Sequence, residues 1–189
     1  RVEYDPTSCR GSLTLAVARS ASGPIRAMSV TGSHPGLVLL DGAGVVLRPV
    51  QAWDGARSEV ARLQQALGPE RWARRSGHVP DSGTAITRLA WLARTDPDTF
   101  AAIGTVLLPH EWLTYRLAGR PVIDRGSASL SGMWSPSSDS WLPEALGQLV
   151  PKAEVHRWVE HLPEVEPDPA APADWLDAPV FELVGLAGR

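Results

Sequence analysis

Residues 28–57 read MSVTGSHPGLVLLDGAGVVLRPVQAWDGAR, and this stretch decides the fold class. Ile25–Val30 is an apolar run of strand length that enters the polar turn Thr31-Gly32-Ser33-His34-Pro35-Gly36. Leu37–Leu40 is a second apolar run. Asp41-Gly42-Ala43-Gly44 is a hairpin signal, and Val45–Val50 is expected to return as a strand. Trp53-Asp54-Gly55-Ala56-Arg57 then opens a helix. Strands interleaved with helices point to a mixed α/β domain. A polar turn at the end of a buried strand is where such domains place ligands.

Outward from this stretch, helices dominate. Residues 56–67 carry Val60, Leu63 and Leu67 at helical spacing, and Gly68 suits the C-terminal cap. Pro69 starts a short helix that stops near Gly77. Residues 84–95 place Ile86, Leu89 and Leu92 on one face. Asp96-Pro97 reads as an N-cap followed by proline at the first helical position. Thr105–Leu108 is a short buried strand, and Pro109–Leu117 a helix closed by Gly119. Residues 1–10 read as irregular and 11–20 as a helix. The Ser/Gly-rich segment from Pro121 to Trp134 has no assignable period, and Trp141–Leu146 reads as a short helix. Residues 163–174 are rich in proline and acid, as a loop would be, and Val180–Leu186 is apolar. No internal repeat is present. The domain lacks a complete set of strands of its own.

Composition narrows the function classes. The chain has 189 residues, 43% hydrophobic and 21% charged, with a net charge of −3. That is enough for one well-buried domain, and the charge gives no reason to expect nucleic acid or an anionic membrane as partner. Arg71, Arg74 and Arg75 form the densest basic cluster and read as a solvated helix face. The single cysteine, Cys9, suits a reducing cytosol. Eight tryptophans against two Phe and two Tyr read as core packing. His78, His110, His156 and His161 share no metal-ligand spacing, and neither a Gly-x-Gly-x-x-Gly motif nor a P-loop is present. The opening Arg1-Val2-Glu3 reads as a start inside a longer protein.

The order of motifs resembles the FGGY carbohydrate kinases, and among them the xylulokinases. Glu3-Tyr4-Asp5-Pro6 is similar to the family's Glu-Gln-Asp-Pro. Thr31-Gly32-Ser33-His34-Pro35-Gly36 aligns without gaps to Ser-Gly-Gln-Met-His-Gly. Leu39-Leu40-Asp41, Leu47-Arg48-Pro49 and Trp53…Arg57 match Leu-Leu-Asp, Leu-Arg-Pro and Trp-Asn-Asp-x-Arg. Arg88-Leu89-Ala90-Trp91 stands at Lys-Leu-x-Trp. Leu107-Leu108-Pro109-His110-Glu111-Trp112-Leu113 stands at Leu-Leu-Pro-Lys-Asp-Tyr-Leu, followed by Arg116-Leu117-Ala118-Gly119. Asp124 to Trp134 follows Asp-x-Ser-Asp-Ala-Ser-Gly-Thr-x-x-Trp.

The resemblance implies an actin-like, ribonuclease-H-type lobe, with residues 1–189 forming part of the N-terminal FGGY domain. It implies a xylulokinase-like enzyme that phosphorylates a ketose, D-xylulose or a related sugar. ATP and Mg²⁺ are expected for the full enzyme, bound by no motif of this chain. The family's opening Asp-x-Gly-Thr precedes the matched region. Its catalytic Asp lies in a Gly-x-x-Asp-Asn segment after Gly188, so no catalytic residue falls in this chain. A small-molecule sugar is the expected partner, a homodimer is possible, and the expected location is the cytoplasm.

Substrate contact falls to Ser33, His34, Trp53 and Asp54. His34 offers an imidazole to a sugar hydroxyl or to a nearby carbonyl, and Ser33 a hydroxyl or a turn bond. Asp54 accepts from sugar or caps the helix near residue 56, and Trp53 walls the site or packs the core. Arg57 ties the helix start to an acidic neighbour. Asp124, at a strand end, reads as structural. The family pattern is departed from at His34 and Pro35 (Met-His), Asp54 (Asn), Gly55 (Asp) and Ser127 (Asp). These departures keep open a second reading: a non-catalytic sugar- or protein-binding remnant of such a kinase.

Overall fold

Asp5-Pro6 starts the first long helix in the same way that Asp96-Pro97 starts a later one. In this computed structural model, which describes residues 3–20, 30, 32, 36–51 and 56–166, the Asp5 carboxylate accepts from Thr7 N at 2.8 Å. The chain order is β1 (Glu3–Tyr4), α1 (Pro6–Ser20), β2 (Val38–Leu40), β3 (Val50–Gln51), α2 (Arg57–Leu67), α3 (Pro69–Ser76) and α4 (Ala85–Thr95). There follow α5 (Pro97–Ala101), β4 (Thr105–Leu107), α6 (Pro109–Ala118), β5 (Val122–Ile123), α7 (Arg125–Leu130), β6 (Trp134–Ser135), β7 (Ser140–Trp141), α8 (Pro143–Leu146), α9 (Val155–Trp158) and β8 (Glu164–Val165). The first helix thus begins five residues earlier than expected, because the Asp5 carboxylate caps the Thr7 amide and Pro6 suits the first helical position. The strand expected at 25–30 lies outside the described residues save for Val30, and so does the apolar run 180–186.

The centre of the lobe is the antiparallel pair β2–β4, with Val38 opposite Leu107, Leu39 opposite Val106 and Leu40 opposite Thr105. Side chains alternate across a strand, and here both faces are buried. Val38, Leu40 and Leu107 enter one core with Val50 and Trp112. Leu37, Leu39, Val106 and Leu108 enter the other, with Leu63, Trp72, Ile86, Leu89 and Met133. An apolar run without polar alternation is what a strand covered on both sides requires. The hairpin after β2 forms as expected: Gly44 N donates to Asp41 O at 3.0 Å, and Gly44 has a φ of 79°. Its return is shorter than expected. Only Val46 bridges back to Leu40, and β3 pairs instead with β1.

Helices α2, α3 and α4 pack over the larger core. The Trp72 indole N–H, fully buried, donates to Leu63 O at 2.7 Å, which satisfies its polar end inside the core. Glu59 on α2 is buried and receives Arg94 of α4 at 2.7 Å and Arg62 at 2.8 Å. Of the basic cluster on α3, Arg75 holds Glu144 of α8 at 2.9 Å and Arg71 lies 3.6 Å from it. That face is therefore an inter-helix contact as well as a solvated one.

The Ser/Gly-rich segment is ordered by a cap. Asp124, at the end of β5, accepts from Ser127 N at 2.9 Å and starts α7. Trp134 and Trp141 then pair across β6–β7, so Trp141 is strand and only Pro143–Leu146 is helix. Glu164–Val165 run parallel to β5.

Candidate functional site

Three chain reversals meet at one end of the lobe: the loop into α4, the β4–α6 junction and the β5–α7 junction. The first is a tight polar turn. Asp81 Oδ1 accepts from Gly83 N at 2.8 Å, from Thr84 N at 2.9 Å and from the Thr84 hydroxyl at 2.9 Å. Thr84 Oγ1 accepts from Asp81 N at 2.9 Å and lies 3.0 Å from His78 Nε2. With the hydroxyl proton committed to Asp81, the remaining lone pair takes His78 Nε2–H. Burial works to raise the Asp81 carboxyl. The hydrogen bonds from Thr84 and Gly83, with His78 nearby, outweigh it and hold Asp81 below the usual carboxylate range. His78, Asp81, Thr84 and Ser131, with Leu108 and Leu130, line a cleft of about 270 Å³. That volume lies just under the ~300–1,000 Å³ of pockets for drug-sized ligands.

The second and third reversals build a buried polar cluster behind the cleft. Proline at the first position of α6 directs His110 and Glu111 inward as the next two helical residues. Glu111 reaches back to cap its own helix, accepting from Leu108 N at 2.7 Å. It is only 3% exposed. Burial pushes its carboxyl up to about 8; the Leu108 amide opposes this and the charge of Asp124 adds to it. Glu111 is therefore largely a neutral acid at pH 7. Its Oε1 has no hydrogen-bond partner among the described residues. His110 Nε2 stands 3.3 Å from Ser127 Oγ. Burial works to raise Asp124 as well, but its bonds from Ser127 and Gly126, with His110 close by, keep it below the ordinary carboxylate range.

The four residues expected to touch substrate, Ser33, His34, Trp53 and Asp54, lie outside the described residues, as do Pro35 and Gly55. Their described neighbours are placed. A Cβ at Gly32 would meet His110 Cβ at 3.0 Å. Gln51 O accepts from Arg88 Nη1 at 2.9 Å, and Arg88 Nε lies 3.4 Å from Gly83 O, so Arg88 ties the end of β3 to the rim of the cleft. Asp124 is structural, as expected, and Arg57 is exposed at the first position of α2. Sequence reasoning did not single out His78, Thr84, His110 or Glu111 for this end of the lobe. The signals were present: Asp-x-x-Thr before a helix, and His-Glu directly after a helix-starting proline. Two family departures also meet in space, since His110 stands at the Lys position, Ser127 at the Asp position, and the two touch. Among the described residues no group of three or more His, Cys, Asp or Glu could hold a metal ion.

The described residues thus form an α/β lobe with a small cleft at its loops, beside a strand pair buried on both faces. Residues 8–186 match the FGGY family of carbohydrate kinases, N-terminal domain, and the chain belongs to that family. It is 38% identical over 152 residues to a xylulose kinase of Streptomyces rubiginosus and 36% identical to one of Streptomyces coelicolor. Each comparison covers 78% of this chain and 32% of the relative. The chain thus spans about a third of the length of the curated relatives it matches. Among solved structures, the xylulose kinase from Rhodospirillum rubrum superimposes with a TM-score of 0.80 at 25% identity, covering 97% of this chain and 38% of that one. The actin-like α/β fold expected from the sequence is the fold observed.

Proposed function

We propose that the whole protein is an ATP-dependent sugar kinase acting on a ketose, D-xylulose or a close relative, and that this chain supplies part of the sugar-binding lobe. The observation that carries the reading is the in-register run of family motifs over residues 31–134, together with 38% identity over 152 residues to a xylulose kinase. The geometry supports it. Phosphoryl transfer to a hydroxyl depends mainly on positioning the acceptor and excluding water. The cleft offers fixed polar groups for this: the His78 imidazole and the Asp81 carboxylate, both held in place by the Thr84 hydroxyl. Ser33, His34, Trp53 and Asp54 join them in this reading.

ATP and Mg²⁺ belong to the proposal for the full enzyme. The described residues do not fit either, because they contain no metal-holding cluster, and the sequence has no phosphate-cradling loop. No step is assigned to them. No helix of the described residues is long and apolar enough to cross a membrane. The cytoplasm and a homodimer complete the proposal.

The test is ADP release by the full gene product with ATP, Mg²⁺ and a panel of D-xylulose, D-ribulose, gluconate and glycerol. Turnover with D-xylulose or another ketose supports the proposal. Sugar binding by calorimetry without any turnover would replace it with the non-catalytic binding reading.

A further inference from the structure

Leu130 is the last residue of α7, and at 44% exposed it stands in the lining of the cleft with Leu108 and Ala85. In the run from Asp124 to Trp134 it occupies the place of the family pattern's Gly, which would offer the cleft no side chain. The place is rigid. Ile86 N donates to Ser131 O at 3.1 Å, which bonds the residue after Leu130 to the first turn of α4. Gly132 follows with a φ of 77°, and a Cβ there would lie 2.9 Å from Ile86 Cγ2 and 3.0 Å from Thr84 Cγ2. The backbone that carries Leu130 is therefore locked against the start of α4.

The polar capacity of the cleft is sparse. Thr84 Oγ1 is committed to Asp81 and His78. The Ser131 hydroxyl donates to Ala128 O at 2.6 Å and accepts from Met133 N at 3.1 Å. Asp81 spends Oδ1 on three donors; Oδ2 takes none of them, and the side chain is 64% exposed. A ligand here meets a carboxylate oxygen for its hydroxyls and, at the Leu130, Leu108 and Ala85 side chains, surface that forms no hydrogen bonds. A hydroxyl turned to that surface gives up water without gaining a partner, whereas a methyl gains apolar contact.

We propose that Leu130 is a specificity-determining residue: it makes the cleft select a terminally deoxygenated ketose, with a methyl in place of one hydroxymethyl end, over the fully hydroxylated sugar. This inference rests on the sugar-kinase reading and names the substrate class within it.

The experiment uses the full gene product. Calorimetric titration without nucleotide compares D-xylulose with 1-deoxy- and 5-deoxy-D-xylulose, so that either end can be the one that meets Leu130. One of the two deoxy sugars binds roughly tenfold tighter than D-xylulose, the scale on which an apolar pocket separates ligands that differ by one small group. Where that sugar keeps its accepting hydroxyl, kcat/KM with ATP–Mg²⁺ follows the same ratio. In Leu130→Ser and Leu130→Ala the ratio falls to within about threefold of one. Both sugars are measured on the same preparation, so a partly unfolded variant still reports the ratio. A wild-type protein that binds D-xylulose as tightly as either deoxy sugar overturns the role of Leu130, as does a ratio that both variants leave unchanged; turnover of D-xylulose in the same samples keeps the kinase reading. A wild-type protein that neither binds nor phosphorylates any ketose overturns the sugar-site reading itself.

Discussion

Replacing Glu111 by Gln should make the protein more stable at neutral and alkaline pH, a result opposite to that of most core substitutions. Burial raises the Glu111 carboxyl from an ordinary 4.5 to about 8. The native state therefore keeps a proton that the unfolded chain releases. Stability must fall as pH rises from about 4.5 to about 8, then level off, because above 4.5 the unfolded state binds fewer protons. At ~1.4 kcal/mol per pH unit, the cost of Glu111 is about 3 kcal/mol at pH 7 and at most about 5 kcal/mol at pH 8. Gln is uncharged at every pH, and its carbonyl oxygen keeps the bond from Leu108 N, now 2.7 Å. The assay is a pair of urea or thermal melts for wild type and Glu111→Gln between pH 5 and pH 8.5. The two should nearly coincide at pH 5 and diverge as pH rises. At pH 7 the Gln variant should melt on the order of 6–12 °C higher, taking ~2–4 °C per kcal/mol for a chain of this size. Parallel curves over the whole range would refute the account of a neutral buried acid.

Three further outcomes follow from the packing. Glu59→Ala removes the acceptor of Arg94 and Arg62 at the α2–α4 contact and should cost about 1–3 kcal/mol in urea melts. Both arginines are about half exposed and can rehydrate, so a larger loss would mean that Glu59 holds more than these two. Asp124→Ala removes the α7 cap at a cost of about 1 kcal/mol near pH 7. Because the Asp124 carboxyl is held below its ordinary value, its contribution is complete above that value and is lost as pH falls through the lowered one. The variant and wild type should therefore converge in acid melts. Gly104→Ala would place a Cβ 2.6 Å from the backbone of Asp41 and Gly42. It should loosen the β2–β4 ladder, with faster hydrogen exchange at the Gly104 amide that now donates to Leu40 O at 2.7 Å.

Much of the fold was legible because its main elements carry their own signals. Leu37–Leu40 and Thr105–Leu108 are apolar on both strand faces, and they pair between two cores. Asp96-Pro97 and Gly68 marked helix ends that the structure confirms. The same Asp-Pro signal stands at Asp5-Pro6, and α1 starts there, five residues before the helical stretch expected at 11–20. The segment 122–135 was unreadable because its elements run two to six residues, too short for any period to show; one capping bond from Asp124 organises it. The site was legible only by motif. Its expected residues lie outside the described residues, and the polar cluster behind the cleft depends on contacts distant in sequence. His110 meets Ser127 seventeen positions away, a pairing that helical spacing cannot announce. Glu111 looked like one more polar helix residue until the two-sided strand pair buried it.

The measurement that tests the central claim most directly is hydrogen–deuterium exchange of the full gene product with and without saturating D-xylulose. Binding at this lobe predicts protection in peptides covering residues 30–37, 51–57 and 78–85, and around the start of α6. D-xylulose turnover with no change in any of these peptides would contradict the claim and place the sugar elsewhere in the protein.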